Sequence, residues 1–131
     1  MPVKSSVDTN IILRYLWEDV DVQVEKVRKL FLDSEQILYV SDLVLAEVIF
    51  NLQSKGVARV NILEAIRALS EIPNLEISDF ILETVLPFYA EHPALSFVDC
   101  YAAFEAEKKG WEPLYTFDRK LANQHPSAKM A

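Results

Sequence analysis

The sequence predicts an α/β fold with a mostly parallel sheet. Short apolar segments alternate with segments of helical periodicity along the whole chain, and cap or turn residues separate them. The length of 131 residues suffices for one hydrophobic core but not for two. We therefore predict a single domain over residues 1–131, built as an α/β/α sandwich with a central sheet of about four to five strands.

In the first half of the chain, Ser41 is a good helix N-cap, and Lys55 with Gly56 is a typical helix end. The apolar spacing between these signals distinguishes helices from strands. The predicted elements are a strand at 3–7, a helix that opens at 9–10 and continues over 11–17, a helix over 21–33, a strand at 37–40 and a helix over 43–53.

In the second half, Pro87 must kink or end the helix that begins near residue 78. The clearest helix follows Ser96 and stops at Gly110. The remaining predicted elements are a helix ending near 72, strands at 75–77 and 114–117, and a short helix over 118–124. No convincing strand is predicted over residues 124–131.

Four acidic residues occupy apolar or strand-ending contexts: Asp8, Glu47, Asp99 and Asp118. Because the carboxyl ends of parallel strands share one edge of a sheet, we expect these side chains to converge there. Two carboxylates about 4 Å apart repel by roughly 4 kcal/mol at an effective dielectric near 20, so such a cluster needs a cation or shared protons. Mg²⁺ or Mn²⁺ is the expected occupant, because both prefer oxygen ligands.

A simpler interpretation applies to three of these acids, since Asp is a common helix cap. Asp8 and Asp118 could accept backbone N–H bonds at helix starts, and Ser96 with Asp99 resembles a capping box. Glu47 has apolar neighbours on both sides in the sequence, so we expect it to be buried. A buried salt bridge to lysine or arginine is the alternative for this residue.

Composition restricts the class of protein. The net charge of −7 disfavours a simple nucleic-acid-binding module, although bound divalent cations would place positive charge at the site itself. One cysteine, no long apolar run and no signal-like start predict a cytoplasmic protein that does not enter a membrane. Only two glycines exclude a glycine-rich phosphate loop, and His92 and His125 are interpreted as surface or turn residues.

The ordered set of motifs resembles the PIN-domain ribonucleases, and in size and spacing the VapC-type toxins of VapBC toxin–antitoxin pairs. The motifs are Val7-Asp8-Thr9-Asn10 after the first strand, Glu47 within an apolar helix, Phe97-Val98-Asp99 at a helix start, and Leu114-Tyr115-Thr116-Phe117-Asp118 near the end. The resemblance covers the chain from residue 3 to about residue 121.

This resemblance implies a metal-dependent endoribonuclease that hydrolyses RNA phosphodiester bonds, with Mg²⁺ or Mn²⁺ held at Asp8 and Asp99. It implies that Glu47 and Asp118 complete the catalytic set, and that Asn10 and Thr116 support it. Metal chemistry would lower the pKa of a bound water to create the nucleophile. Arg14 and Arg119 are close enough in sequence to contact phosphate, or are solvated surface charges.

The resemblance also implies a cognate antitoxin protein as partner. The 51% hydrophobic composition favours a homodimer, because some of that apolar surface should be covered by other chains. Two alternatives stay open: a standalone PIN nuclease for RNA processing or DNA flap cleavage, and a catalytically silent PIN interaction module. The identity of the cleaved RNA does not follow from the sequence.

Overall fold

The computed structural model describes residues 2–17 and 21–131, without the side chain of Asp21. The chain forms two compact units, Met1–Ser78 and Asp79–Ala131, here called the N-terminal and C-terminal units. None of the helices in the described part of the chain is long and apolar enough to cross a membrane.

The N-terminal unit consists of β1 Val3–Ser6, α1 Thr9–Trp17, α2 Asp21–Leu32, β2 Gln36–Tyr39, α3 Asp42–Ser54, α4 Arg59–Ser70 and β3 Leu75–Glu76. Its three strands form a parallel sheet with strand order β1-β2-β3. Ser41 caps α3 by accepting the N–H of Val44, and Gly56 follows the helix with a positive φ of 86°.

Helices α1 and α2 pack against each other, because both present apolar side chains at helical spacing. Ile12 of α1 and Val24 and Val27 of α2 are buried. The rings of Tyr15 and Phe31 meet at a centroid distance of 4.9 Å. Only Val7 and Asp8 separate β1 from α1, so the start of α1 lies just beyond the carboxyl end of β1.

The C-terminal unit consists of a π-helical segment Ile81–Val85, α5 Leu86–Glu91, α6 Phe97–Lys109, β4 Leu114–Thr116, α7 Arg119–Gln124 and β5 Ala128–Met130. Its two strands form a second parallel sheet, in which Leu114 pairs with Ala128. Ser96 caps α6, and Gly110 ends it in the left-handed conformation with φ 74°.

The α/β class with parallel strands and flanking helices is confirmed. The strands of the described residues form one parallel sheet of three and one of two, rather than the one central sheet of about four to five strands that was expected. The expectation for the tail was wrong, because β5 forms there. The Leu114 N–H donates to the Ser127 carbonyl at 2.7 Å, and the Ala131 N–H donates to the Thr116 carbonyl at 3.0 Å. Pairing with a distant strand therefore creates β5, whose own sequence carries little strand signal.

His125 is buried, which corrects its assignment to the surface or a turn; its exposed fraction is 1%. Its ring lies edge-on to the ring of Phe104 at 4.4 Å, and its Nδ1 accepts the N–H of Ser127 at 3.0 Å. Burial lowers the pKa of His125, against the opposing effect of the Glu107 and Glu112 carboxylates. The single cysteine, Cys100, is buried and is not part of a disulfide.

Candidate active site

Asp8 follows β1 and lies at the start of α1 in the N-terminal unit. Its Oδ1 accepts the backbone N–H of Ile11 at 3.2 Å, so the capping interpretation holds for this residue. The bond uses one carboxylate oxygen, and the residue is exposed to solvent. Capping thus holds the carboxylate in place without committing both of its oxygens.

Thr9, the residue after Asp8, connects α1 to α3 through its side chain. Thr9 Oγ1 donates a hydrogen bond of 2.9 Å to Glu47 Oε2, across 38 positions of sequence. The Asp8 carboxylate is therefore held by the helix cap, and the neighbouring Thr9 hydroxyl contacts the Glu47 carboxylate. The N-terminal unit brings Asp8 and Glu47 to the same end of α1.

The expected burial of Glu47 was wrong, because this residue is exposed. The opposite face of α3 is buried through Leu45, Val48, Ile49 and Leu52, while Leu43 and Phe50 are 80% and 71% exposed. Helix α3 therefore exposes two large apolar side chains in addition to the apolar face that it buries. Local sequence gave no signal for which apolar positions face solvent, and Glu47 lies among the exposed ones.

In the C-terminal unit, Asp99 lies in the first turn of α6. Its backbone N–H donates to Ser96 Oγ at 3.1 Å, which confirms the serine half of the expected capping box. The residue is half-buried, and the neighbouring Val98 is 65% exposed. The cap orients the first turn of α6, and with it the position of Asp99.

Asp118 caps α7 at the carboxyl end of β4. Its Oδ1 accepts the N–H groups of Lys120 and Leu121 at 2.9 and 3.3 Å. Its own N–H donates to Thr116 Oγ1 at 2.9 Å, so Thr116 contacts this predicted site residue directly. The capping interpretation holds for Asp118, and both capping bonds end on the same carboxylate oxygen.

Two clefts flank α1, and both contain Asn10 and Arg14 in their walls. The first lies between α1 and α2 and also contains Asp8 and Lys26. The second lies between α1 and the end of α3, and Trp17, Asn51 and Lys55 line it together with Leu13. Sequence reasoning did not single out Lys26, Asn51 or Lys55, because their proximity depends on helix packing.

A model of the PIN domain family matches residues 6–124, about nine-tenths of the chain. The chain belongs to the PIN domain family. The matched range includes all four predicted acids and crosses from one unit into the other, whereas β5 lies beyond it. No curated protein and no solved structure is significantly similar to the chain.

PIN domains are generally metal-dependent nucleases, so membership indicates a nuclease-type function for this chain. The donor set fits such chemistry, since Asp8 and Glu47 offer exposed carboxylate oxygens of the kind that hard divalent cations prefer. Among residues 2–17 and 21–131, no three Asp, Glu, His or Cys side chains already form a metal-binding group. The metal ligands therefore remain a prediction of the PIN resemblance.

Proposed function

We propose that this PIN domain is a metal-dependent endoribonuclease and the toxin component of a type II toxin–antitoxin pair. The observation that carries the nuclease assignment is the contact between Thr9 and Glu47, which places the Glu47 carboxylate beside the capping carboxylate of Asp8 at the start of α1, in a chain that matches the PIN family. The sequence resemblance to VapC-type toxins supports the toxin role.

Each acid has a distinct task in this proposal. Asp8 and Asp99 bind the metal, Glu47 orients or deprotonates the attacking water, and Asp118 completes the catalytic set. The Thr9 hydroxyl holds the Glu47 carboxylate, and Thr116 holds the Asp118 backbone. Asn10 supports the site from the wall of both clefts. A bound Mg²⁺ or Mn²⁺ would lower the pKa of water toward neutrality.

The proposed partners are an RNA substrate, an antitoxin protein and a second copy of the chain, in the cytoplasm. The exposed apolar face of α3, with Leu43 and Phe50, supports an interaction with other proteins. An antitoxin arginine or lysine near Asp8 or Glu47 would neutralise carboxylates that otherwise bind metal. Inhibition would then be electrostatic as well as steric.

Metal binding is tested by titrating Mn²⁺ into the wild-type protein and into Asp8→Asn and Asp99→Asn, with isothermal calorimetry. We expect both substitutions to weaken binding and to leave the fold intact, as seen by circular dichroism. Glu64→Gln is the matched control, because Glu64 is an exposed acid paired with Arg67 on α4. Wild-type affinity in both Asn variants would contradict the ligand assignment.

The toxin role is tested by co-expression with the product of the adjacent reading frame, followed by size-exclusion chromatography with light scattering. We expect a complex whose formation relieves growth arrest caused by the chain alone. A 15.0 kDa monomer that does not bind the co-expressed protein and does not slow cell growth would refute the toxin role. That result would not contradict the nuclease assignment.

A further inference from the structure

The cleft between α1 and the end of α3, here called the Trp17 cleft, differs in charge from the chain as a whole. Its described lining consists of two cations, two amides, one indole and one aliphatic side chain, with no carboxylate: Arg14, Lys55, Asn10, Asn51, Trp17 and Leu13. The chain carries a net charge of −7. The described lining of this cleft is therefore cationic, which favours an anionic ligand.

The shape of the cleft also favours an aromatic ligand. It encloses about 550 Å³, which lies within the roughly 300–1,000 Å³ typical of small-molecule sites. Trp17 is 37% exposed, and the Lys55 ammonium lies 5.9 Å from the centroid of its indole ring. An indole beside a cation provides a stacking surface for a base and a charge for its phosphate.

Two backbone features hold the cleft residues in place. Asn51 Nδ2 donates to the Glu47 carbonyl at 2.7 Å, which fixes the Asn51 amide on α3. Lys55 ends α3, where its N–H donates to the Asn51 carbonyl at 3.1 Å and where a positive charge favours the helix C-terminus. Asn51 and the Lys55 backbone thus have defined positions at the end of α3.

The Trp17 cleft adjoins the proposed catalytic residues through α1. Asn10 and Arg14 line both this cleft and the neighbouring cleft between α1 and α2, whose lining also includes Asp8. Trp17 lies nine residues after Asp8, which is roughly 13 Å along a helix that rises about 1.5 Å per residue. A strand cleaved near Asp8 would need only a few nucleotides to reach Trp17.

We propose that the Trp17 cleft binds one nucleotide of a single-stranded RNA segment near the cleaved bond, with its base stacked on Trp17 and a phosphate paired with Lys55. This inference rests on the proposed ribonuclease function and specifies how the substrate is held. The Asn10 and Asn51 amides supply hydrogen bonds to the base or ribose. Trp17 and Lys55 are positioning residues in this scheme.

The test uses tryptophan fluorescence in a Trp111→Phe, Asp99→Asn background, which leaves Trp17 as the single tryptophan and the RNA uncleaved. A short single-stranded oligoribonucleotide is titrated in the presence of Mg²⁺, and its integrity is checked on a gel. We expect saturable quenching of Trp17 emission by the oligonucleotide, and much weaker quenching by uridine or adenosine monophosphate. Equal affinity for a free mononucleotide would overturn the assignment to an RNA strand.

Two substitutions and a charge-matched control measure the contribution of the cleft to affinity. Binding by these variants is followed by the fluorescence anisotropy of an end-labelled oligoribonucleotide, because Trp17→Ala removes the tryptophan signal. Trp17→Ala should weaken binding about 5- to 150-fold, the usual range for a lost base stack. Lys55→Ala should weaken binding and lower the slope of log affinity against log salt by about 0.7. Lys29→Ala removes the same charge from an exposed position on α2 that does not line the cleft, and should change affinity less than twofold.

The possible outcomes test the cleft proposal independently of the nuclease proposal. Binding that leaves Trp17 emission unchanged, or equal losses in Lys55→Ala and Lys29→Ala, would overturn the cleft proposal even if the wild-type protein cleaves RNA. Quenching without any cleavage by the wild type would support the cleft and contradict the nuclease. Quenching by a co-purified partner protein but not by RNA would overturn the proposal in favour of a peptide ligand.

Discussion

Thr9 has the most specific role among single residues, because its hydroxyl contacts Glu47 from the position next to Asp8. Thr9→Val keeps the shape of the side chain and removes the donor. We expect nuclease activity to fall about tenfold, the lower end of losses when a supporting contact is removed at a metal site. The free energy of unfolding should fall by less than about 1.5 kcal/mol, because the bond is solvent-exposed.

Thr9→Ser is the matched control for this prediction, since it restores the hydroxyl on a smaller side chain. Its activity should lie close to that of the wild type in a steady-state cleavage assay. If Thr9→Val retains full activity, the contact does not position Glu47 for catalysis.

Asp118 combines capping with a proposed catalytic role, and two substitutions separate these functions. Asp118→Ala removes the acceptor for Lys120 and Leu121 and should cost about 0.5–2 kcal/mol of stability. Asp118→Asn keeps a good N-cap and should change stability much less. Urea unfolding and cleavage assays on both variants measure the two effects.

If Asp118 acts in cleavage, the Asn variant should lose activity while it remains stable. An Asn variant as active as the wild type would leave Asp118 with the structural role alone.

The burial of His125 leads to a prediction about how the stability of the protein depends on pH. Burial lowers its pKa in the folded state below the value of about 6.5 for an unfolded chain, so the unfolded state binds the proton more readily. The contribution of this group to stability is therefore present above about pH 6.5 and is lost as pH falls toward the lower folded-state pKa. His125→Asn retains an acceptor for the Ser127 N–H but does not titrate in this range.

Thermal unfolding from pH 7.5 to pH 5 measures this effect. The loss of stability with falling pH should be shallower in His125→Asn than in the wild type. Parallel profiles for the two proteins would contradict the assignment.

Among the elements, those bounded by local caps could be predicted from the sequence. Ser96 and Gly110 predicted α6 at the residues where it lies, 97–109. Ser41 and Gly56 likewise predicted α3 to within one residue at either end. Side-chain caps and left-handed glycines act over a few residues, so their effect is visible in the local sequence.

Features that depend on distant residues could not be predicted in the same way. The strand β5 exists through its pairing with β4, and the exposure of Glu47 depends on which face of α3 packs inward. His125 is buried because Phe88 and Phe104 surround its ring. At the candidate site, the four acids were proposed from their neighbours in the sequence. The Thr9–Glu47 contact and the Trp17 cleft could not be predicted, because they depend on how the helices pack.

The pairing of β5 with β4 leads to a prediction for the C-terminus. Truncation after Ser127 removes the strand partner of Leu114 and the donor to the Thr116 carbonyl, at the end of β4 that leads to Asp118. We expect a lower Tm and faster amide hydrogen exchange in β4 and α7. Lys129→Ala is the control, since it changes an exposed side chain and keeps the backbone pairing.

For this truncation, exchange rates in β4 identical to those of the full chain would show that β5 contributes nothing to the order of that sheet. The Lys129→Ala variant should match the wild type in both measurements.

At the scale of the whole molecule, an acidic chain must bind a polyanion. With 20 acidic and 13 basic residues the chain repels nucleic acid on average, so RNA binding requires local regions of positive electrostatic potential. The proposed metal would supply positive charge at the carboxylates, and Arg14 and Lys55 would supply it in the Trp17 cleft. RNA affinity should therefore depend on divalent metal as well as on monovalent salt.

Cleavage of structured RNA by the purified, partner-free protein tests the central claim most directly. We predict cleavage at few positions with Mg²⁺ or Mn²⁺ and none after chelation. Asp8→Asn and Asp99→Asn should each lower the rate by at least about 10- to 100-fold, a loss already seen when outer partners of metal ligands are removed. Glu64→Gln should cleave at the wild-type rate. Cleavage that persists with a chelator, or full activity in both Asn variants, would contradict the account.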